Sequence, residues 1–187
     1  KFLGKTTVLC HDTPAFIANR IGVAGIASLF RISETLDMSV EEIDLLTGPI
    51  IGRPKSATFR TSDLVGLDTL HKVARGVYEN CPNDEQRDIF NLPSFINTML
   101  AKKWLGDKTK QGFYKKVRDE NGKRKILALN LKTLDYTEKK KSRFETINKA
   151  KKINSLHERF HVLIEGNDKA AVFYKKMFAF MFSYVSH

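Results

Sequence analysis

The chain has 187 residues, and its apolar content of 42% is enough for the core of one domain or one and a half. No apolar run approaches the ~18 residues that a membrane-spanning helix needs. No early apolar run precedes a small-residue cleavage site, so we expect no signal peptide and a cytoplasmic location. The two cysteines, Cys10 and Cys81, lack the spacing of a metal or redox pair, which excludes a disulfide scaffold and suits a reducing compartment.

The positive charge of the chain is concentrated in one stretch. The net charge is +11, and residues 102–152 hold 18 of the 32 Lys and Arg but only 6 of the 21 Asp and Glu. Such a stretch can attract nucleic acid, acidic lipid or another polyanion, or it can be a solvated, Lys-rich connecting segment. We favour the solvated segment and keep nucleic-acid binding as the alternative.

The first elements of the chain are predicted to be a strand and a long helix. Residues 5–10 are β-branched and apolar, which predicts a short strand with Cys10 buried; such a strand can be the last of a preceding domain. Thr13 as a cap and Pro14 at the first helical position predict a helix over 14–36, with apolar residues at helical spacing. Gly22 and Gly25 inside it predict that a second helix or a ligand comes very close.

The elements that follow are predicted from capping, turn and periodicity signals. Ser39 and Glu42 form a capping box that begins a short helix ending at Gly48. A helix begins at Pro93 and ends at Gly106. The Asn121-Gly122 turn predicts a hairpin. The other expected elements are helices over 56–65, 67–80, 153–165 and 168–186, with Asn167 or Asp168 as the cap of the last, strands over 113–117 and 125–129, and an irregular basic linker over 131–152.

Three motifs resemble, in the right order, the C-terminal helical domain of 3-hydroxyacyl-CoA dehydrogenases. They are Asp12-Thr13-Pro14-Ala15-Phe16-Ile17-Ala18-Asn19-Arg20, Ser62-Asp63-Leu64-Val65-Gly66-Leu67-Asp68 and Trp104-Leu105-Gly106-Asp107-Lys108-Thr109-Lys110-Gln111-Gly112-Phe113-Tyr114. The resemblance covers roughly residues 5–116. The loop Gly52-Arg53-Pro54-Lys55-Ser56-Ala57-Thr58-Phe59 is one residue longer than the common family form. In this it is similar to long versions of the enzyme that are fused to an enoyl-CoA hydratase.

The resemblance implies a mainly α fold and a division of the chain. The expected fold is a helical bundle like the C-terminal domain of 6-phosphogluconate dehydrogenase, with a small β-hairpin. Residues 1–13 would end a nucleotide-binding domain or form a linker. The expected units after it are the helical domain over 14–116, a basic hairpin and linker over 117–152, and a truncated second helical repeat over 153–187. In that repeat Tyr184 to His187 would match Phe16 to Asn19.

The resemblance also implies an activity and a set of site residues. The parent protein would oxidise (3S)-3-hydroxyacyl-CoA with NAD in fatty-acid β-oxidation, and a domain absent from this chain would bind the NAD. The chain would supply a wall of the substrate cleft, and its helices 14–36 and 67–80 would present an apolar face for self-association. Asn19 would be catalytic, next to the substrate's 3-oxygen and a His of the preceding domain. Lys55 and Ser56 would line the acyl or pantetheine path, whereas Arg20 is expected to form a structural ion pair.

A third hypothesis comes from His157-Glu158-Arg159-Phe160-His161, which fits the His-Glu-x-x-His pattern of zinc proteases. Two His at i and i+4 on a helix can bind one metal ion, but a catalytic zinc needs a third protein ligand. No Glu or His downstream stands in a recognisable frame. We therefore expect ordinary amphipathic packing at this segment and assign no metal-binding or cofactor-binding residue.

Overall fold

The computed structural model describes residue 4 and residues 6–186 of the chain. In this part the fold is mainly α, as predicted, with eight α-helices and one three-stranded antiparallel sheet. The helices are α1 (Ala18–Thr35), α2 (Val40–Thr47), α3 (Phe59–Val65), α4 (Leu67–Asn80), α5 (Ser94–Ala101), α6 (Glu145–Ala150), α7 (Leu156–Glu165) and α8 (Lys169–Ser186). The strands are β1 (Tyr114–Arg118), β2 (Arg124–Leu129) and β3 (Tyr136–Glu138). None of the helices described is long and apolar enough to cross a bilayer.

The core is built around four phenylalanine rings that come from separate segments. Phe30 of α1 stacks on Phe59 of α3 at 5.3 Å between ring centroids, and Phe59 meets the edge of Phe113 at 4.6 Å. Phe95 of α5 packs against Phe30 at 5.9 Å. Such pairs add roughly 1 kcal/mol each beyond the burial of their area. The rings therefore hold α1, α3, α5 and the start of the sheet together.

Several local predictions are confirmed. The Ser39 hydroxyl accepts the Glu42 N–H, and the Glu42 carboxylate accepts the Ser39 N–H, which completes the capping box of α2. Helix α4 has the predicted bounds. Strands β1 and β2 form the predicted hairpin, with Tyr114 opposite Ala128. Asp168 accepts the Ala171 N–H and so caps α8.

The predictions for the beginning of the chain are wrong in the described residues. Residues 6–13 form no strand, and Cys10 is exposed; residue 5 lies outside the described part. A strand needs a neighbour to bond its backbone groups, and no strand of the described sheet pairs with this segment. Helix α1 begins at Ala18, not at residue 14, and Thr13 does not cap it. Ala15 and Phe16 have φ of 65° and 49°, which interrupts the helix before its predicted first turn.

The basic linker over 131–152 is more ordered than predicted. Strand β3 extends the hairpin by pairing Thr137 with Ala128, and α6 buries Ile147 and Ala150. Both elements are short, with three and six residues, so neither carries a full period of apolar pattern. Smaller shifts affect helix bounds: α3 begins at Phe59, α7 begins at Leu156, and α5 ends at Ala101 rather than at Gly106.

Helix α8 packs along α1. This packing bears on two predictions, that a helix or a ligand comes very close to α1 and that α1 presents an apolar face. A Cβ on Gly25 would lie 3.1 Å from Met181 Sδ of α8, so the element that comes close to α1 is a helix, while a Cβ on Gly22 would meet nothing within 4 Å. The apolar face of α1 that was expected to serve self-association is therefore partly covered. Tyr184 lies near the end of α8 whereas Phe16 precedes α1, so these residues do not hold equivalent places in their helices. His187 lies outside the described residues.

Candidate functional site

The first turn of α1 presents Asn19 to solvent. The Asn19 side chain is exposed, and no hydrogen bond to it occurs within the described part of the chain. Phe16 and Ile17, just before it, are about half exposed at 54% and 48%. This end of α1 is thus an open surface that combines one polar amide with apolar neighbours. A carboxamide N–H can donate to a carbonyl oxygen without titrating near neutral pH.

Arg20, the next residue, forms the predicted ion pair. Its Nε donates to Asp84 Oδ2 at 3.0 Å and lies 3.0 Å from Tyr184 Oη. The Tyr184 hydroxyl donates to the same carboxylate oxygen at 2.8 Å. The Asp84 side chain is fully buried, with 0% exposed, so the ion pair lets its charge remain inside the protein. Burial and the adjacent Asp84 raise the pKa of Tyr184, so its hydroxyl keeps the proton it donates.

A shallow cleft opens beside this network, between the segment before α1 and the end of α8. Arg20 and Tyr184 lie in its wall, and Asn19 is not one of its lining residues. The apolar members of the lining are Leu9, Phe16, Ile17, Ile21 and Val185.

The structure does not bring Lys55 and Ser56 to Asn19. Lys55 is exposed, and Ser56 Oγ accepts a hydrogen bond from Thr61 Oγ1 at 2.9 Å. The loop leads into α3, whose Phe59 stacks on Phe30. Phe30 lies about three turns, or ~16 Å, along α1 from Asn19. Asn19 and the loop with Lys55 and Ser56 therefore lie beside different turns of α1.

Asp63 locks the second motif to the third. Its two carboxylate oxygens accept the backbone N–H groups of Phe113 at 2.8 Å and Tyr114 at 2.9 Å. Gly106 and Gly112 run against it, and a Cβ on Gly112 would come within 2.6 Å of Gly106 Cα and overlap Asp63 Oδ1. Burial raises the pKa of Asp63 to about 6, although the two N–H donors favour its charged form. The second motif is thus joined to the third through one close-packed contact.

Asp44 holds the start of α3 in place through hydrogen bonds of the same kind. Its carboxylate accepts the N–H groups of Phe59 at 2.6 Å, Thr58 at 3.0 Å and Arg60 at 3.1 Å, and also the Tyr114 hydroxyl at 2.7 Å. It thereby satisfies N–H groups that have no partner inside the helix. Neither aspartate was predicted as a site residue. Asp63 stands in the second motif without an assigned role, and Asp44 follows two other acidic residues, Glu41 and Glu42, so nothing local distinguishes it.

The two histidines of the His-Glu-x-x-His segment lie on α7. His157 and His161 are exposed, with ring centroids 4.9 Å apart. Across residues 6–186, no group of three His, Cys, Asp or Glu side chains is placed to hold a metal ion. The structure therefore gives the zinc hypothesis no third ligand.

Comparison with known proteins shows the family of this chain. Residues 16–116, just over half of the chain, match the model of the 3-hydroxyacyl-CoA dehydrogenase C-terminal domain. The chain belongs to the 3-hydroxyacyl-CoA dehydrogenase family. The match begins at Phe16 and ends just after β1 has begun, so it contains Asn19, both partners of the Asp63 lock and the four-ring core.

Individual relatives agree with this family. A probable 3-hydroxyacyl-CoA dehydrogenase of Bacillus subtilis is 47% identical over 170 residues, 90% of this chain and 20% of that protein. One of Deinococcus radiodurans is 46% identical over 121 residues, 65% of this chain and 34% of that protein. The crystal structure of Mycobacterium tuberculosis FadB2 superposes with a TM-score of 0.53 at 33% identity, over 60% of this chain and 38% of that one. The chain thus spans between a fifth and two fifths of these relatives.

Proposed function

We propose that this 3-hydroxyacyl-CoA dehydrogenase chain is the C-terminal helical part of an enzyme that oxidises (3S)-3-hydroxyacyl-CoA to 3-oxoacyl-CoA in fatty-acid β-oxidation. The observation that carries the proposal is the family match over residues 16–116, which includes the hydrogen bonds of Asp63 that join the second motif to the third. In the proposed reaction the 3-hydroxyl carbon loses a hydride to NAD, and the hydroxyl loses a proton to a base.

The NAD is assigned to a domain outside this chain. Nucleotide-binding folds hold the pyrophosphate at a Gly-x-Gly-x-x-Gly turn before a helix. The sequence of this chain contains no such turn, so its residues do not fit the cofactor. We therefore derive no step of hydride transfer from them. Their proposed part is to form one wall of the substrate cleft and to supply Asn19.

Asn19 is the proposed catalytic contribution of this chain. Its side chain is exposed at the start of α1, and we propose that its amide donates to the substrate's 3-oxygen as negative charge builds up there. Lys55 and Ser56 remain proposed contacts of the acyl or pantetheine portion, on a separate loop. We propose a cytoplasmic location, in keeping with the free thiols of Cys10 and Cys81.

The parent is proposed to be a long, multifunctional form that also carries an enoyl-CoA hydratase. A putative fatty acid oxidation complex trifunctional enzyme of Rickettsia prowazekii is 28% identical over 163 residues, which are 86% of this chain but only 22% of that protein. The Bacillus subtilis relative is of similar extent, since the matched part is 20% of it. Because each match covers at least 86% of this chain, both continue past residue 116 into the hairpin and at least as far as α7.

The isolated chain is expected to show no dehydrogenase activity, since the proposed NAD site and base lie outside it. Mixing it with NAD and 3-hydroxybutyryl-CoA should give no rise in absorbance at 340 nm above buffer, whereas the full-length protein should give a rise proportional to enzyme. Activity of the isolated chain would contradict the assignment of NAD to another domain. An inactive full-length protein would contradict the proposed function.

Self-association of the isolated chain remains a prediction, now confined to a smaller surface. Helix α8 covers part of α1, but Phe16, Ile17, Phe182 and Val185 stay exposed at the ends of the two helices. Phe16, Ile17 and Val185 line one cleft together, and an exposed apolar patch of this kind favours contact with a second copy. Light scattering at micromolar concentration is expected to show about twice the mass of one chain. A strict monomer would mean that the packing of α8 on α1 is enough to keep this apolar surface from binding a second copy.

A further inference from the structure

A hydroxyl from the last helix reaches the first turn of α1. Tyr184 lies near the end of α8, 68 residues beyond the last residue that matches the family domain, residue 116. Its Oη is 2.8 Å from Asp84 Oδ2 and 3.0 Å from Arg20 Nε. One hydroxyl thus bridges α1, the loop after α4, and α8.

Both oxygens of the buried Asp84 carboxylate, at the centre of this network, accept hydrogen bonds. Asp84 Oδ1 accepts the Gln86 N–H at 2.9 Å, and Oδ2 accepts Arg20 and Tyr184. Buried polar groups that lose a partner carry the full desolvation penalty. The geometry of each member therefore depends on the other two.

The first turn of α1 has no side-chain cap. Its N-cap is Ile17, and the left-handed Ala15 and Phe16 separate the helix from the segment before it. The Arg20 side chain ties the turn to Asp84 and Tyr184 from the side, next to Ile21, which packs against the core. Because Asn19 precedes Arg20 directly, the direction of the Asn19 amide depends on where Arg20 is held.

We propose that Tyr184 is a positioning residue for the dehydrogenase site, acting through Asp84 and Arg20 to set the orientation of Asn19. This inference rests on the proposed function for its consequence in catalysis. It gives α8, which lies outside the matched family domain, a role at the first turn of α1. A misplacement of a reacting group by about 1 Å can lower a rate by as much as a hundredfold, so a small change in the network has a measurable effect.

The test is Tyr184→Phe in the full-length protein. The phenyl ring keeps its stacking on Phe180 at 5.9 Å and its edge contact with Phe90 at 6.3 Å, while both hydrogen bonds of the hydroxyl are lost. We expect kcat to fall roughly tenfold with KM changed by less than about twofold, the pattern of a defect that appears in the transition state.

Tyr174→Phe is the matched control. Tyr174 lies on the same helix, is fully buried, and donates its hydroxyl to the Leu46 carbonyl at 2.8 Å, at a distance from the first turn of α1. This variant should lose a comparable amount of stability and keep the wild-type kcat. If both variants lose kcat in proportion to their melting temperatures, the effect is general destabilisation and the positioning role is wrong.

A second measurement separates this inference from the proposed function. Hydrogen exchange of the amides of residues 21–24 should be faster in Tyr184→Phe than in the wild type and unchanged in Tyr174→Phe. Wild-type kcat in Tyr184→Phe, with an active wild type, overturns the inference alone. An inactive wild type overturns the proposed function, and the exchange rates then decide the inference: faster exchange in Tyr184→Phe alone supports positioning of the turn, and equal exchange overturns it.

Discussion

Asn19→Ala in the full-length protein is expected to lower kcat by about a hundredfold or more while raising KM far less. The amide donates to the 3-oxygen in the proposed mechanism, and that bond strengthens as the oxygen gains charge. Losing one such donor typically costs roughly 3 kcal/mol of transition-state stabilisation. The measurement is steady-state kinetics of the wild type and the variant with 3-hydroxyacyl-CoA and NAD.

A thermal melt and a control variant separate catalysis from stability. Asn19 is exposed and makes no described hydrogen bond, so its truncation should change stability by less than about 1 kcal/mol. Asn97→Ala removes another exposed helical asparagine, on α5, and should leave both kcat and the melt unchanged. Unchanged kcat in Asn19→Ala would remove this residue from the mechanism. A collapsed melt would show that its role is structural.

Gly112→Ala is expected to produce the largest loss of stability, about 3 kcal/mol or more. A methyl group at this position would lie 2.6 Å from Gly106 Cα and would overlap the Asp63 carboxylate oxygen that accepts the Phe113 N–H. Neither neighbour can move without opening the lock between the second and third motifs. Urea unfolding of the isolated chain, followed by circular dichroism, measures the change.

Gly76→Ala is the control for this prediction. Gly76 lies inside α4, and a Cβ there would meet nothing within 4 Å. Alanine should therefore raise the unfolding free energy by roughly 0.5–1 kcal/mol, since it removes the conformational freedom of glycine in a helix. If Gly112→Ala were as stable as the wild type, the close contact between the two glycine segments would be wrong.

Local signals in the sequence sufficed where the interacting residues are close in the chain. The capping box of α2 joins residues three apart, and the turn at Gly122 needs only its own positive φ of 73°. Helix α4 was placed at both ends because its apolar period is regular. The motif around Asn19 and the predicted ion pair of Arg20 were also visible, through the family resemblance.

The beginning of α1 could not be placed from the same kind of signal. Thr13 and Pro14 have the chemistry of a helix start, yet Ala15 and Phe16 turn left-handed and the helix begins four residues later. Propensity supplies only a fraction of a kcal/mol per residue, and tertiary contacts exceed it. The strand expected over residues 5–10 shows the same limit, because a strand forms only against a partner.

The mainly α class, most helices and the β1–β2 hairpin are predictable from the sequence, since they depend on periodicity and on contacts within a few residues, and the family is predictable from its three motifs. The partners of the buried charges, by contrast, follow from how the helices and the sheet pack. Asp63 meets the N–H groups of residues 113 and 114, and Arg20 meets Tyr184 from the far end of the chain. A buried carboxylate must be satisfied by whichever donor the packing brings to it. No pattern in the neighbouring residues specifies a donor that lies 50 positions away, as for Asp63, or 100 positions away, as for Asp84.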